Sequence, residues 1–84
     1  MPLPSQPVIL TVEQIAALNE KLSSARHDIN NHLSLIVAAV ELIRHKPSSA
    51  DRMMATLADQ PSRISERLSK FSAELERNLG ITRH

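Results

Sequence analysis

Three polar side chains within five residues, His27, Asp28 and Asn31, carry the chemistry this sequence can support. A neutral imidazole with an ordinary pKa of about 6.5 is a nucleophile near neutral pH. A carboxylate beside it can hold its tautomer and stabilise the charge that develops on the ring. Asn31 lies one helical turn beyond His27, where an amide can orient a water or a phosphoryl oxygen. Surface helices also carry His, Asp and Asn as plain solvation, so the trio gains weight only from the element that presents it.

That element is a long helix. Thr11 is an N-cap, Gln14 three residues on closes a capping box, and Leu10 can staple onto Ile15, so the helix is expected to start at Val12. It should run to about His45, because Pro47 drives Lys46 out of helical geometry; Arg44, His45 and Lys46 put positive charge at the negative end of the dipole. Ile15, Leu22, Ile29, Ile36 and Ile43 recur every seven residues, with Leu18, Ala25, His32 and Ala39 on the intermediate row. This register puts His27 at an f position, facing water, and His27, Asp28 and Asn31 are expected to share one outward patch. His32 falls at d and points into the seam, where it needs a partner or a wet, widened stretch.

A second helix is expected after Ser48 or Ser49, with Asp51 in its first turn and Gly80 as its left-handed terminator, Ile81 folding back on Leu75. Pro61 falls inside it and removes one backbone bond, which predicts a kink. Met54, Leu57, Ile64, Leu68, Phe71 and Leu75 continue the three-four spacing through that proline. The connection Lys46-Pro47-Ser48-Ser49 is short, so the helices form an antiparallel hairpin. Leu33 and Val40 widen the first helix's stripe on one side and Leu35 and Leu42 on the other, more than one partner helix covers. The expected architecture is therefore all-α: a two-helix hairpin that dimerises into a four-helix bundle. Residues 1–10, with three of the five prolines, are expected to form a disordered or extended tail, 11–80 the hairpin domain and 81–84 a C-terminal tail.

Composition narrows the function. Phe71 is the lone aromatic residue, glycine occurs once and cysteine not at all, which excludes a sandwich, a Gly-rich phosphate loop, a disulfide framework and thiolate chemistry. Ten Lys/Arg against nine Asp/Glu leave a net charge of +1, spread along the chain, so neither nucleic acid nor an anionic membrane is the expected partner. The longest apolar run, residues 35–40, is far short of the ~20 residues a spanning helix needs, and a cytoplasmic location is expected.

The wording of the site segment adds a resemblance. Arg26-His27-Asp28-Ile29-Asn30-Asn31-His32-Leu33-Ser34-Leu35-Ile36 resembles the phosphoacceptor helix of sensor histidine kinases, in the branch whose box reads His-Asp-hydrophobic-Asn-Asn. Residues 63–72 (RISERLSKFS) look like that family's second helix, and the likeness covers about residues 12–79, the dimerisation and phosphotransfer domain. It implies that His27 accepts a phosphoryl group, that Asp28 assists as its acidic neighbour, and that Asn31 orients water for dephosphorylating a receiver domain. It also implies a homodimer whose partner is a response-regulator receiver domain or a kinase. This chain would hold no cofactor of its own, the magnesium belonging to the receiver. Two departures stand out. The family's ATP-binding domain has no counterpart here, so a stand-alone module that does not phosphorylate itself is expected. His32 stands where a Leu is expected.

Other readings compete at several positions. A non-phosphorylated structural or regulatory dimer, and a receiver phosphatase acting through Asn31, are the alternative functions. Asp28 and His32 share the i,i+4 spacing of metal ligands, but they point apart and no third ligand is evident, so no metal is expected. His84 is a tail residue, and Met53 and Met54 are core filler or a soft docking surface. Arg63, Glu66, Arg67, Lys70 and Glu74 read as a solvated, ion-paired face, with receiver docking as a second role.

Overall fold

The computed structural model describes residues 3–80. The helix α1 spans Val12–His45, a 3-10 turn spans Pro47–Ser49 and α2 spans Ala50–Leu79; the described residues contain no strand. The tail positions 1–2 and 81–84, including His84 and the contact expected between Ile81 and Leu75, lie outside the described residues.

Each boundary has a local cause. Thr11 is extended, its hydroxyl accepts the Gln14 amide at 3.0 Å, and its own amide donates to Gln14 Oε1 at 2.8 Å, completing the capping box. At the other end Arg44 and His45 lie 3.2 and 3.4 Å from the Glu41 carboxylate, and the Lys46 amide returns to the Leu42 carbonyl at 2.7 Å. Pro47 opens the turn, where its missing N–H costs nothing. The buried Ser49 hydroxyl then donates to the Lys46 carbonyl at 2.7 Å. Gly80 ends α2 at φ 69°, a conformation that a Cβ would strain.

Pro61 cannot donate to the Leu57 carbonyl, yet α2 continues through it. Ser62 Oγ donates to the Asp59 carbonyl at 3.1 Å in the same turn, and Arg63 pairs with the Asp59 carboxylate.

The two helices lie antiparallel in one layer. The principal extents are 56 × 28 × 12 Å, and the smallest equals the diameter of one helix with its side chains. Among the described residues no large apolar side chain is enclosed: the buried apolar positions are Ala25 and Ala39, the two alanines of the d row, with Ile29, Ile36 and Ile43 half-buried beside them. Leu33, Val37 and Val40 stay 47, 62 and 42% exposed along one stripe of α1, and Met54 and Leu68 are 58 and 51% exposed on α2. Met54 is therefore not core filler within the hairpin, whereas Met53 is half-buried. No helix among the described residues is long and apolar enough to cross a membrane.

Candidate functional site

His27 is exposed, as its f position predicts, with Asn31 beside it on the same outer face. Asn31 Nδ2 lies 3.5 Å from His27 Nε2. An amide nitrogen can only donate, so Nε2 accepts and the ring proton sits on Nδ1. The contact is at the outer limit of a hydrogen bond and is readily exchanged for a ligand atom.

Asp28 departs from the expected outward trio. It occupies the g position, at the edge of the seam, and its carboxylate turns towards α2. Asp28 Oδ2 accepts from Arg67 Nε at 2.7 Å, and the same guanidinium donates from Nη2 to Ser24 Oγ at 3.2 Å. The Arg67 side chain is 19% exposed. It is therefore not part of a solvated face: it crosses the hairpin and fastens α2 to two successive turns of α1. The guanidinium hydrogen bond, followed by its charge and those of His27 and His32, holds the Asp28 carboxyl below its ordinary 3.8 against the opposing effect of desolvation.

His32 enters the seam half-buried and finds a partner there: Nδ1 lies 2.6 Å from Oε1 of Gln60, itself 5% exposed. An amide oxygen only accepts, so Nδ1 carries the proton. The residue before Pro61 thus supplies the polar group that a d-position histidine requires. Beside this pair an open groove of about 610 Å³ is lined by His32, Arg63, Glu66, Arg67, Ser69 and Lys70.

Sequence reasoning named His27, Asp28 and Asn31 as candidates but did not place Ser24, Gln60 and Arg67 beside this segment. The available signal was the loop, and it was approximate: folding the chain about residues 46–49 brings position 28 opposite residues 64–70 and position 32 opposite residues 60–66, which narrows the neighbours to within two turns of α2 without fixing the pairs. No group of three or more His, Cys, Asp or Glu that could hold a metal occurs among the described residues.

Comparison of the chain with protein-family models, with curated proteins and with solved structures finds no match. The site and the hairpin define it physically: a two-helix protein that presents an exposed imidazole, with an amide at one ring nitrogen and an acidic neighbour latched across the hairpin.

Proposed function

We propose that this chain is a dimeric phosphotransfer module of two-component signalling type, exchanging a phosphoryl group between His27 and the aspartate of a receiver domain. The supporting observation is the exposed His27 ring with Asn31 at Nε2, joined to the resemblance of residues 26–36 to a phosphoacceptor helix. In the transfer, the unprotonated ring nitrogen attacks phosphorus, an N–P bond forms and the acyl P–O bond breaks. The electron pair leaves on the receiver's carboxylate, while Nδ1 keeps its proton. Asn31 gives up Nε2 as the phosphoryl group arrives and stays within reach of its oxygens. The receiver supplies the magnesium that its own aspartate chemistry needs.

Dimerisation belongs to the same proposal. A compact 9.3 kDa protein exposes about 5,000 Å², whereas this chain exposes 6436 Å². The non-helical residues 3–11, nearly all exposed, account for part of the excess, and the apolar stripes of α1 and α2 contribute to the rest. A standard interface covers about 800 Å² per partner. A second hairpin laid on those stripes would complete a four-helix bundle and leave the His27 face outward.

Mixing the protein with a phosphorylated receiver domain and magnesium tests the reading. Acid-labile, alkali-stable label should appear on the wild type and vanish in His27→Ala; an unlabelled wild type would overturn it. The proximity of Asn31 to the ring favours a second activity, receiver dephosphorylation. In that case receiver phosphate would be lost faster with His27→Ala present, and Asn31→Ala would remove the effect.

A further inference from the structure

We infer that Arg67 is the positioning residue of the His27–Asp28 pair, a latch from α2 that withholds the Asp28 carboxylate from His27 and ties the site's reactivity to the seating of the hairpin. The inference rests on the reading of His27 as a phosphoacceptor. Four observations support it. Asp28 Oδ2 is held by Arg67 Nε at 2.7 Å. Arg67 is anchored a second time, to Ser24 Oγ at 3.2 Å, so the guanidinium is fixed from two turns of α1. Its side chain is 19% exposed and the pair joins the two helices, whereas the pairs of Glu41 with Arg44 and His45, Asp59 with Arg63 and Glu74 with Arg77 each join near neighbours on one helix. The ring contact of His27 is to Asn31, while the Asp28 carboxylate is bonded to Arg67.

The consequence follows from charge. As His27 attacks a phosphorus atom its ring becomes cationic, and a free carboxylate one residue away stabilises that charge. A carboxylate already paired with a guanidinium contributes little, since the fields of the two groups nearly cancel a few ångströms away. Any partner or helix shift that draws Arg67 off Asp28 therefore makes His27 the better nucleophile. The charged and titratable groups acting on Asp28 are Arg67 from α2 and His27 and His32 from its own helix.

Phosphoramidate, a small donor that phosphorylates imidazole with loss of ammonia, tests the latch without any partner protein. Its labelling rate at His27 is measured on the full chain in 0.5 M salt, where general attraction of the donor to Arg67 is screened. Wild type, Arg67→Gln, Asp28→Asn and the double variant form one cycle. Arg67→Gln should raise the rate about threefold, the double variant should match Asp28→Asn, and Arg67→Lys should return most of the wild-type rate. A rise that persists in the Asp28→Asn background, or no rise at all, overturns the inference.

A second readout is independent of labelling. The Asp28 carboxyl carbon, followed by NMR during acid titration, should titrate higher in Arg67→Gln than in wild type, and less so in Arg67→Lys; an unmoved midpoint also overturns the latch. Circular dichroism establishes that each variant is helical, and Arg67→Lys keeps the titration decisive should Arg67→Gln unfold. Failure of transfer from a receiver, with the cycle and titration as expected, would sink the proposed function and leave the latch standing. The reverse would sink the latch alone.

Discussion

The half-buried His32 and the buried Gln60 form a polar pair in a largely apolar seam, and such a pair matters most when half of it is removed. Replacing His32 with Leu leaves the Gln60 amide, 5% exposed, without its partner. His32→Leu should cost about 1–3 kcal/mol in urea unfolding at fixed protein concentration. Gln60→Leu added to it should recover most of that loss, because two apolar groups need no partner. Asp28 gives a second expectation. Its carboxyl titrates below its ordinary 3.8, so the folded state gains stability above that value and loses it as pH falls through the lower folded midpoint. Arg67→Gln should flatten this acid limb, as measured by helical signal between pH 5 and pH 2. The exposure of His27 was legible because helical periodicity fixes which way an f position faces. The pairings of Asp28 and His32 were not, because they depend on register across the hairpin, which no single-helix pattern contains. Arg67 was placed in solvent for that reason: its spacing to Arg63 and Lys70 fits a solvated face equally well.

The ends of the elements were the most legible feature, since each is set by residues within a turn of it. Thr11 and Gln14, Pro47 and Gly80 all occupy the positions their local chemistry dictates. Thr11→Ala removes the hydroxyl acceptor for the Gln14 amide and should cost about 1 kcal/mol in unfolding free energy. Pro61 is the element-scale exception, a residue that breaks local preference inside a helix that nevertheless continues. Its ring lies on the exposed four-three stripe of Met54, Ala58, Pro61, Ser65 and Leu68, and it follows the buried Gln60. Pro61→Ala returns a backbone donor to the Leu57 carbonyl and should stabilise α2 by about 1–3 kcal/mol. A loss of stability instead would mean that the proline shapes packing outside the single hairpin.

At the scale of the molecule, a single layer 12 Å thick leaves its large apolar side chains partly or wholly open to water, whatever the quality of its local signals. An exposed Leu or Ile forgoes about 1.5–3 kcal/mol relative to burial; several exposed aliphatic side chains line α1, and Met54 and Leu68 add to them on α2. For a domain of this size, whose total stability is expected near 5 kcal/mol, covering those stripes is comparable to the whole stability. A shallow depression of about 430 Å³ along α1, lined by Asn30, Leu33, Ser34, Val37 and Ala38, suits the side chains of a second copy better than a polar ligand. Sedimentation equilibrium at micromolar concentration should give about twice 9.3 kDa for the wild type. Leu33→Glu combined with Leu68→Glu should lower this towards the single-chain mass and make thermal unfolding less cooperative, since a buried carboxylate opposes the interface while an exposed one costs the hairpin little. The His27 face lies away from both substitutions. A monomeric variant that still accepts phosphoryl label would separate the chemistry of the ring from assembly of the bundle, and a monomeric wild type would leave the apolar stripes to a different protein.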